Sequence, residues 1–224
     1  MREVSVIIPQ HGQCGLTVAA IESLQRHHSR APEIIVVDDA SSACERRQLQ
    51  TAGLRGVQIV PAGRHRGVTS AWNLGWRQTR RALAVFLNND TVSTGDWLTD
   101  LSAPLRDGAA RVTGVGFRQE RHLPQAFRDR IGQSRVLEGW CFAIRREELE
   151  RLSGFDERLR LYFSDTDFQC RILEQAGDRG ACLSAVPSLP LTHLGHRSTR
   201  MLAWRSRQWE ADRDFFVRKW SRCP

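Results

Sequence analysis

Residues Phe86 to Thr91, FLNNDT, carry an apolar run directly into two amides and a carboxylate. Asn88, Asn89 and Asp90 therefore sit where a buried strand, Leu83 to Leu87, leaves its sheet. A second apolar run, Ile34 to Val37, ends in the same way in Asp38, Asp39, Ala40 and Ser41. In open α/β sheets ligands bind outside the carboxyl ends of the strands. Two oxygen-rich tips of this kind predict one ligand-binding edge, able to accept hydrogen bonds from a polar ligand.

The elements that must position these tips alternate regularly. Short β-rich runs at Val4 to Ile8, Ile34 to Val37, Val57 to Val60 and Leu83 to Leu87 are separated by helical patterns at Gly15 to His28, Ser41 to Ala52 and Val68 to Arg80. Right-handed crossovers then give a parallel sheet with helices on both faces. The second half is less regular. Asp107 to Arg135 has weak periodicity and many arginines and histidines, and reads as a mobile surface region. It is followed by an apolar segment at Trp140 to Ile144, a helix from Glu147 and a second helix over Ser164 to Ala176. Near the end, Leu202, Trp209, Phe216 and Trp220 form one stripe of a helix flanked by arginines. That stripe either docks on the domain or lies on an anionic membrane surface.

The 224 residues, 41% hydrophobic and 26% charged, suit one soluble globular domain. No apolar run approaches the roughly 20 residues that span a bilayer, and the chain opens into a strand rather than a signal peptide, so a cytoplasmic protein is expected. Cys14, Cys44, Cys141, Cys170, Cys182 and Cys223 have no C-x-x-C or metal-ligand spacing and are expected to be reduced thiols. A net charge of +8 admits phosphorylated small molecules, an anionic membrane surface or nucleic acid. The absence of zinc-finger spacing and of an RNP-type aromatic strand argues against nucleic acid.

Seven segments in order, VSVIIP at 4 to 9, EIIVVDDAS at 33 to 41, HRGVTSAWNLGW at 65 to 76, FLNNDT at 86 to 91, EGWCFAIRRE at 138 to 147, GFDERLRLYFSDTDFQCR at 154 to 171 and HLGHRS at 193 to 198, resemble the family 2 glycosyltransferases. The resemblance spans nearly the whole chain. It implies the GT-A fold, a Rossmann-like mixed α/β sheet flanked by helices, here with a C-terminal aromatic helix. It also implies an inverting transfer of one sugar from a nucleotide-sugar donor, UDP- or dTDP-linked, to a hydroxyl on a saccharide or lipid-linked acceptor. GFDE and YxxDxDxxxR followed by a late histidine are similar to the rhamnosyltransferase-like members of cell-envelope polysaccharide synthesis. On this resemblance residues 1–106 form the donor half, 107–200 the acceptor and catalytic half, and 201–224 a terminal helix, all within one domain.

Residue by residue, the resemblance puts Pro9, Asp38, Asp39, Asn73, Asn89 and Asp90 at the nucleotide sugar. Asp90 keeps the last carboxylate of the family's DxD and, with His193, is the implied ligand of a divalent metal, Mg²⁺ or Mn²⁺; one or two carboxylates suffice where phosphate and water complete the shell. Asp165 matches the general base, which removes the proton from the attacking hydroxyl. Trp140, Cys141 and Asp167 fall on the acceptor side, with Trp140 a platform for a sugar ring or apolar aglycone. Each assignment has a structural alternative. Asp38 to Ser42 can cap the next helix, Ser164 and Asp167 can form a capping box, Asn73 can serve helix packing, and Trp140 can anchor a core.

The chain also departs from the family. Gln10, His11 and Gly12 stand where Thr-Tyr-Asn is usual, His65 stands for Asn, Asn88 for the first carboxylate of DxD, and Ser164 for the glutamate beside the base. Those losses keep a non-catalytic, glycosyltransferase-like binding module in play. A sugar nucleotidyltransferase would need a basic phosphate loop after the first strand, and Gln10 to Gly15 has no lysine or arginine. A contact with the inner membrane face would draw on the arginines between Arg111 and Arg135.

Overall fold

The computed structural model describes residues 3–28, 32–132, 135–176, 182–195 and 204–221. Its first half follows the expected alternation: β1 (Val4–Gln10), α1 (Cys14–His27), β2 (Glu33–Asp38), α2 (Ala43–Thr51), β3 (Val57–Pro61), α3 (Val68–Gln78) and β4 (Leu83–Leu87). Strands β1, β2 and β4 are buried on both faces, which is why they read as unbroken apolar runs rather than as alternation, while β3 is the half-exposed edge strand. Val6 pairs in parallel with Ile34 of β2 on one side and with Val85 of β4 on the other. The chain therefore runs outward from β1 to β3 and then returns to the opposite side of β1. Such a reversal opens a crevice between the carboxyl ends of β1 and β4.

The second half adds β5 (Thr91–Ser93), α4 (Leu98–Arg106), β6 (Val112–Gly114), β7 (Phe117–Gln119), α5 (Gln125–Ile131), β8 (Arg135–Leu137), β9 (Cys141–Arg145), α6 (Arg146–Arg151), α7 (Ser164–Ala176), β10 (Leu183–Ala185), β11 (Leu191–His193) and α8 (Arg205–Ser221). The main sheet has the order β10-β6-β9-β4-β1-β2-β3. Because β9 runs antiparallel to both β4 and β6, the sheet is mixed, as the GT-A expectation requires. Two small ribbons, β5 with β11 and β7 with β8, stand off the sheet and carry residues toward the crevice.

The segment from Asp107 to Arg135, expected to be a mobile surface region, is instead built into the fold. Val112 and Thr113 are fully buried, and Leu123 and Phe127 nearly so. Its strands have only three residues each, too few to display a period.

Of the two readings of the terminal stripe, the structure adopts docking. Phe216 and Trp220 are buried against Leu123, Phe127, Leu159 and Phe163, each contributing roughly 1.5–3 kcal/mol by apolar burial. Trp209 is half-buried on the same cluster, and Leu202 lies outside the described residues. The apolar face that a membrane reading would use is spent on the domain. No helix of the described residues is long and apolar enough to cross a membrane. All five described cysteines are free thiols.

Candidate functional site

A cavity of ≈ 880 Å³ opens at the crevice, and Pro9, Asp39, Asn89, Trp140, Asp165 and His193 all line it. The topology explains the convergence. Gln10 is level with Asp38 across β1 and β2, and continuing the β1–β4 register by three residues sets Asn89 level with Gln10. Polar side chains tie these tips together, since Asn89 Nδ2 donates to Thr17 Oγ1 at 3.1 Å and Thr17 in turn donates to Gln10 Oε1.

Asp39 leaves the end of β2 with its own N–H donated to Gln10 O at 2.7 Å. Its carboxylate accepts the backbone N–H groups of Arg66 and Gly67, each at 2.7 Å, and pairs with His65 Nδ1 at 2.8 Å. Gly67 has φ 96°, and a Cβ there would lie 2.4 Å from Arg160 O, so only glycine brings that N–H to the carboxylate. The His65 ring stacks on His11 with centroids 4.0 Å apart. These two histidines, at the positions that depart from the family pattern, both line the cavity.

Asp38 does not reach the cavity. It is 1% exposed, and its Oδ1 accepts the N–H of Ser41 at 3.1 Å, closing the turn before Ser42 caps α2. Asp38, expected at the nucleotide, is thus placed by the turn at the helix start and not among the residues that line the cavity. Asn73, also expected at the nucleotide, is likewise held by protein partners and is not among the lining residues. Its Oδ1 accepts Phe155 N–H at 2.9 Å and Trp76 Nε1–H at 3.2 Å, while Nδ2 donates to Phe155 O at 2.8 Å and Glu157 Oε1 at 3.0 Å. Every polar position of that amide is committed to clamping the GFDE loop onto α3.

Asp90 is 1% exposed, behind the lining, and reaches the cavity through His193, whose Nε2 is 3.1 Å from Asp90 Oδ1. The β5–β11 ribbon sets this pair by register, since His193 faces Thr91 and Leu194 N–H donates to Asp90 O at 2.8 Å. Trp140 lies flat on the His193 ring, with centroids 4.8 Å apart and planes 9° apart. One face of the indole is thereby occupied. Cys141, its neighbour, points the other way into the sheet core; it is fully buried, and burial pushes its thiol far above the ordinary range. Cys141, expected on the acceptor side, is not among the residues that line the cavity, because alternate residues of a strand face opposite sides.

Asp165 stands in the first turn of α7, 8% exposed and on the cavity wall. Its Oδ2 lies 3.4 Å from Arg118 Nη2, and a Cβ on Gly139 would approach that oxygen to 2.3 Å. Arg118 Nη2 also donates to Thr166 Oγ1 at 2.7 Å, and Nη1 pairs with Glu120. Burial disfavours the Arg118 cation, but Asp165 and Glu120 outweigh it and hold the guanidinium above its ordinary pKa. The residue before α7, Phe163, has φ 62°, a conformation costing a bulky residue about 1–3 kcal/mol. It is held there by Asp212 of α8, whose carboxylate accepts the N–H groups of Arg160 at 3.1 Å and of Leu161 and Tyr162 at 2.9 Å.

Asp167, two residues on, is fully buried away from the cavity. It pairs with Arg171 Nε at 3.0 Å and Lys219 Nζ at 2.6 Å and accepts Trp220 Nε1–H at 3.1 Å. It fastens α8 to α7, and Asp167, expected on the acceptor side, is not among the residues that line the cavity. Sequence reasoning missed Arg118, Glu120, His122, Phe163 and Trp209, all of which line the cavity. A legible signal existed for one pair. Arg118 and Glu120 are two residues apart, the spacing that puts opposite charges on one side of an extended strand.

The family model described as "Glycosyl transferase family 2" matches residues 5–168. Among solved structures, the chain is similar to the mannosyltransferase PcManGT from Pyrobaculum calidifontis in complex with GDP-Man and Mn²⁺, with a TM-score of 0.70, 20% identity, and coverage of 99% of this chain and 66% of that one. It is similar to glucosyl-3-phosphoglycerate synthase from Mycobacterium tuberculosis in complex with Mn²⁺, uridine diphosphate and glucosyl-3-phosphoglycerate, with a TM-score of 0.66, 16% identity, and coverage of 94% and 78%. S. aureus TarS 1-349 gives a TM-score of 0.59 at 17% identity, covering 82% of this chain and 60% of that one. At 66% and 60%, the chain spans under two thirds of PcManGT and of TarS 1-349. A search of the curated proteins finds no match.

Proposed function

Because the chain belongs to glycosyl transferase family 2, we propose that it moves one sugar, with inversion, from a nucleotide-diphosphate sugar to a hydroxyl acceptor. The observation that carries this reading is the single cavity shared by Asp39, Asn89, His193 and Asp165. A transfer with inversion needs the attacking hydroxyl and the departing diphosphate on opposite faces of the anomeric carbon, so it needs a base and a phosphate site in one enclosure.

Asp39 receives the nucleoside. Its oxygens are oriented by the Arg66 and Gly67 amides, and a carboxylate has about four acceptor positions, leaving capacity for N–H or O–H groups of the base or ribose. The stacked His11 and His65 rings border the same place. Asp165 accepts the proton of the acceptor hydroxyl as that oxygen forms its bond to the anomeric carbon and the bond to the diphosphate breaks. The face of Trp140 not covered by His193 is available to a sugar ring.

Asp90 and His193 would hold a divalent cation. Their Oδ1 and Nε2 converge to 3.1 Å, and a hard carboxylate with an imidazole, completed by phosphate oxygens and water, fits Mg²⁺ or Mn²⁺. Such an ion neutralises the charge that develops on the leaving diphosphate. Two of the similar structures hold Mn²⁺ beside a nucleotide, which supports a metal-dependent reading.

We further assign a UDP- or dTDP-sugar as donor and a saccharide or lipid-linked acceptor of cell-envelope polysaccharide or glycoconjugate synthesis, in the rhamnosyltransferase-like manner suggested by GFDE and the late histidine. Residues 1–106 would serve the donor and 107–200 the acceptor. The test is a thermal-shift panel of UDP, dTDP, GDP and CMP, each with and without Mn²⁺. A rise with a uridine or thymidine diphosphate that requires Mn²⁺ is expected. A metal-independent rise removes the metal role, and no rise with any nucleotide favours a non-catalytic module.

A further inference from the structure

We propose that Arg118 is a positioning residue for the transfer: it anchors Asp165 through Oδ2, so that Oδ1 is the oxygen presented to the acceptor hydroxyl. This rests on the reading of Asp165 as the base, and it concerns residues that the motif resemblance did not single out.

Three observations carry it. Asp165 Oδ2 is the oxygen that faces Arg118, at 3.4 Å, and the one that abuts Gly139, whose missing side chain leaves it room. Among the described residues Oδ1 has no hydrogen-bond partner, although Asp165 lines the cavity. The two oxygens of one carboxylate are thus unequal, one held by protein and one open to ligand.

The second observation is that Arg118 is itself fixed from three sides. Nη2 bridges Asp165 and Thr166, Nη1 pairs with Glu120, and Glu120 Oε1 accepts the N–H of His122 at 3.0 Å. Glu120 is 2% exposed, so the guanidinium has no solvent-side alternative in that direction. A planar fork with fixed donors can orient a carboxylate in a way that a single ammonium cannot.

The third is charge. With Glu120 on the other limb of the fork, two carboxylates share one guanidinium, so the cation that holds Asp165 is itself paired on its far side. Arg118 thus spends both of its terminal nitrogens on protein partners, Nη1 on Glu120 and Nη2 on Asp165 and Thr166.

The experiment compares Arg118→Met, Arg118→Lys, the double variant Arg118→Met/Glu120→Gln and Asp165→Asn by steady-state transfer to saturating acceptor, with nucleotide affinity measured separately. The double variant is included because Arg118→Met alone leaves Glu120 buried without its partner, which can prevent folding. A carboxylate freed to rotate is displaced on the scale that costs about 100-fold, so kcat is expected to fall about 100-fold in both Met variants with donor KM within about threefold of wild type. Lysine keeps the charge but not the fork and is expected to recover only part of kcat. If both Met variants keep kcat within threefold of wild type while Asp165→Asn is inactive, the positioning role of Arg118 is overturned and the base stands. If Asp165→Asn itself turns over, the assignment of the base fails and this inference falls with it. A fall in Arg118→Met/Glu120→Gln seen only as raised donor KM also overturns the proposal, because anchorage of a base acts on kcat.

Discussion

Asp39 meets the cavity with its carboxylate held by two backbone N–H groups at 2.7 Å, whereas Asp165 meets the same cavity held by one guanidinium at 3.4 Å. Backbone donors are set by the path of the chain and by the parallel sheet behind it, so no single side chain can release Asp39. Asp165 depends on a side chain from a three-residue strand, β7, which itself leans on Glu120. The donor side is thus built from main chain and register, and the acceptor side from side-chain charge. The lesson is that the first should tolerate substitution around its key carboxylate and the second should not.

The sharpest way to break that comparison is Asp165→Asn. The change removes a proton acceptor with almost no change of volume, and general bases contribute about 10²–10⁴-fold, so transfer should fall by at least the upper part of that range. Nucleotide affinity, read by thermal shift, should stay within about twofold, because the proposed function puts the nucleotide at Asp39 and the strand tips. Next in size is Gly139→Ala. Its Cβ would stand 2.3 Å from Asp165 Oδ2, so the carboxylate must rotate, and a loss of about 10- to 100-fold in kcat is expected with an unchanged far-UV spectrum. If Gly139→Ala turns over like wild type, the position of Asp165 does not matter and the contrast with Asp39 dissolves.

Much of the donor side was legible because its signals are local. Buried parallel strands read as apolar runs, and the residues after them are polar, so the tips at 38–41 and 88–90 could be picked out from Val37 and Leu87 alone, while the choice of Asp39, Asn89 and Asp90 within them came from the family resemblance. The neighbour of each was not separable by type. Asp38 and Asp39 are the same residue, yet one closes a turn through Ser41 and the other faces the cavity, a choice made by backbone direction at the strand end. Asp165 and Asp167 pose the same problem on α7, where a step of two residues, about 200° around the helix, sends one to the cavity and the other to Lys219 and Trp220. Arg118 and Glu120 were hidden for another reason. The strand that carries Arg118 is too short to show periodicity, and the partners of Arg118 on α7 lie more than 40 residues away in sequence, at Asp165 and Thr166. The contact of α8 with the Phe163 turn is likewise long-range, through Asp212, and lies beyond residues 5–168 matched by the family.

The converse prediction tests tolerance on the donor side. His65→Ala removes the 2.8 Å contact to Asp39 Oδ2 but leaves the Arg66 and Gly67 amides in place. Nucleotide affinity is expected to weaken by no more than about fivefold, the worth of one hydrogen bond of about 1 kcal/mol. A loss beyond about 100-fold would mean that the imidazole, not the backbone, holds the donor, and the two sides of the cavity would then be built alike.

The smallest effect concerns how charge on the acceptor side is read by pH rather than by substitution. Asp156, in the GFDE loop, is paired with Lys219 Nζ at 2.9 Å and with Arg158 Nη2 at 2.7 Å. Burial alone would raise its pKa, but the hydrogen bonds from Arg158 and Lys219 outweigh burial and hold it well below the ordinary carboxylate range. A group whose folded-state pKa is depressed contributes stability that is complete above its unfolded pKa, about 4, and is lost as the pH falls through that value toward the folded one. Lys219 also pairs with Asp167, so Asp156 helps fasten α8 and, through α8, the turn that presents Asp165. The melting temperature of wild type should therefore exceed that of Asp156→Asn by a few degrees at pH 7, with the gap narrowing steadily below about pH 4. Narrowing assigns the effect to the carboxylate. A gap that is constant from pH 7 to pH 3 would instead assign it to packing, and would place this corner of the acceptor side with the backbone-held donor side.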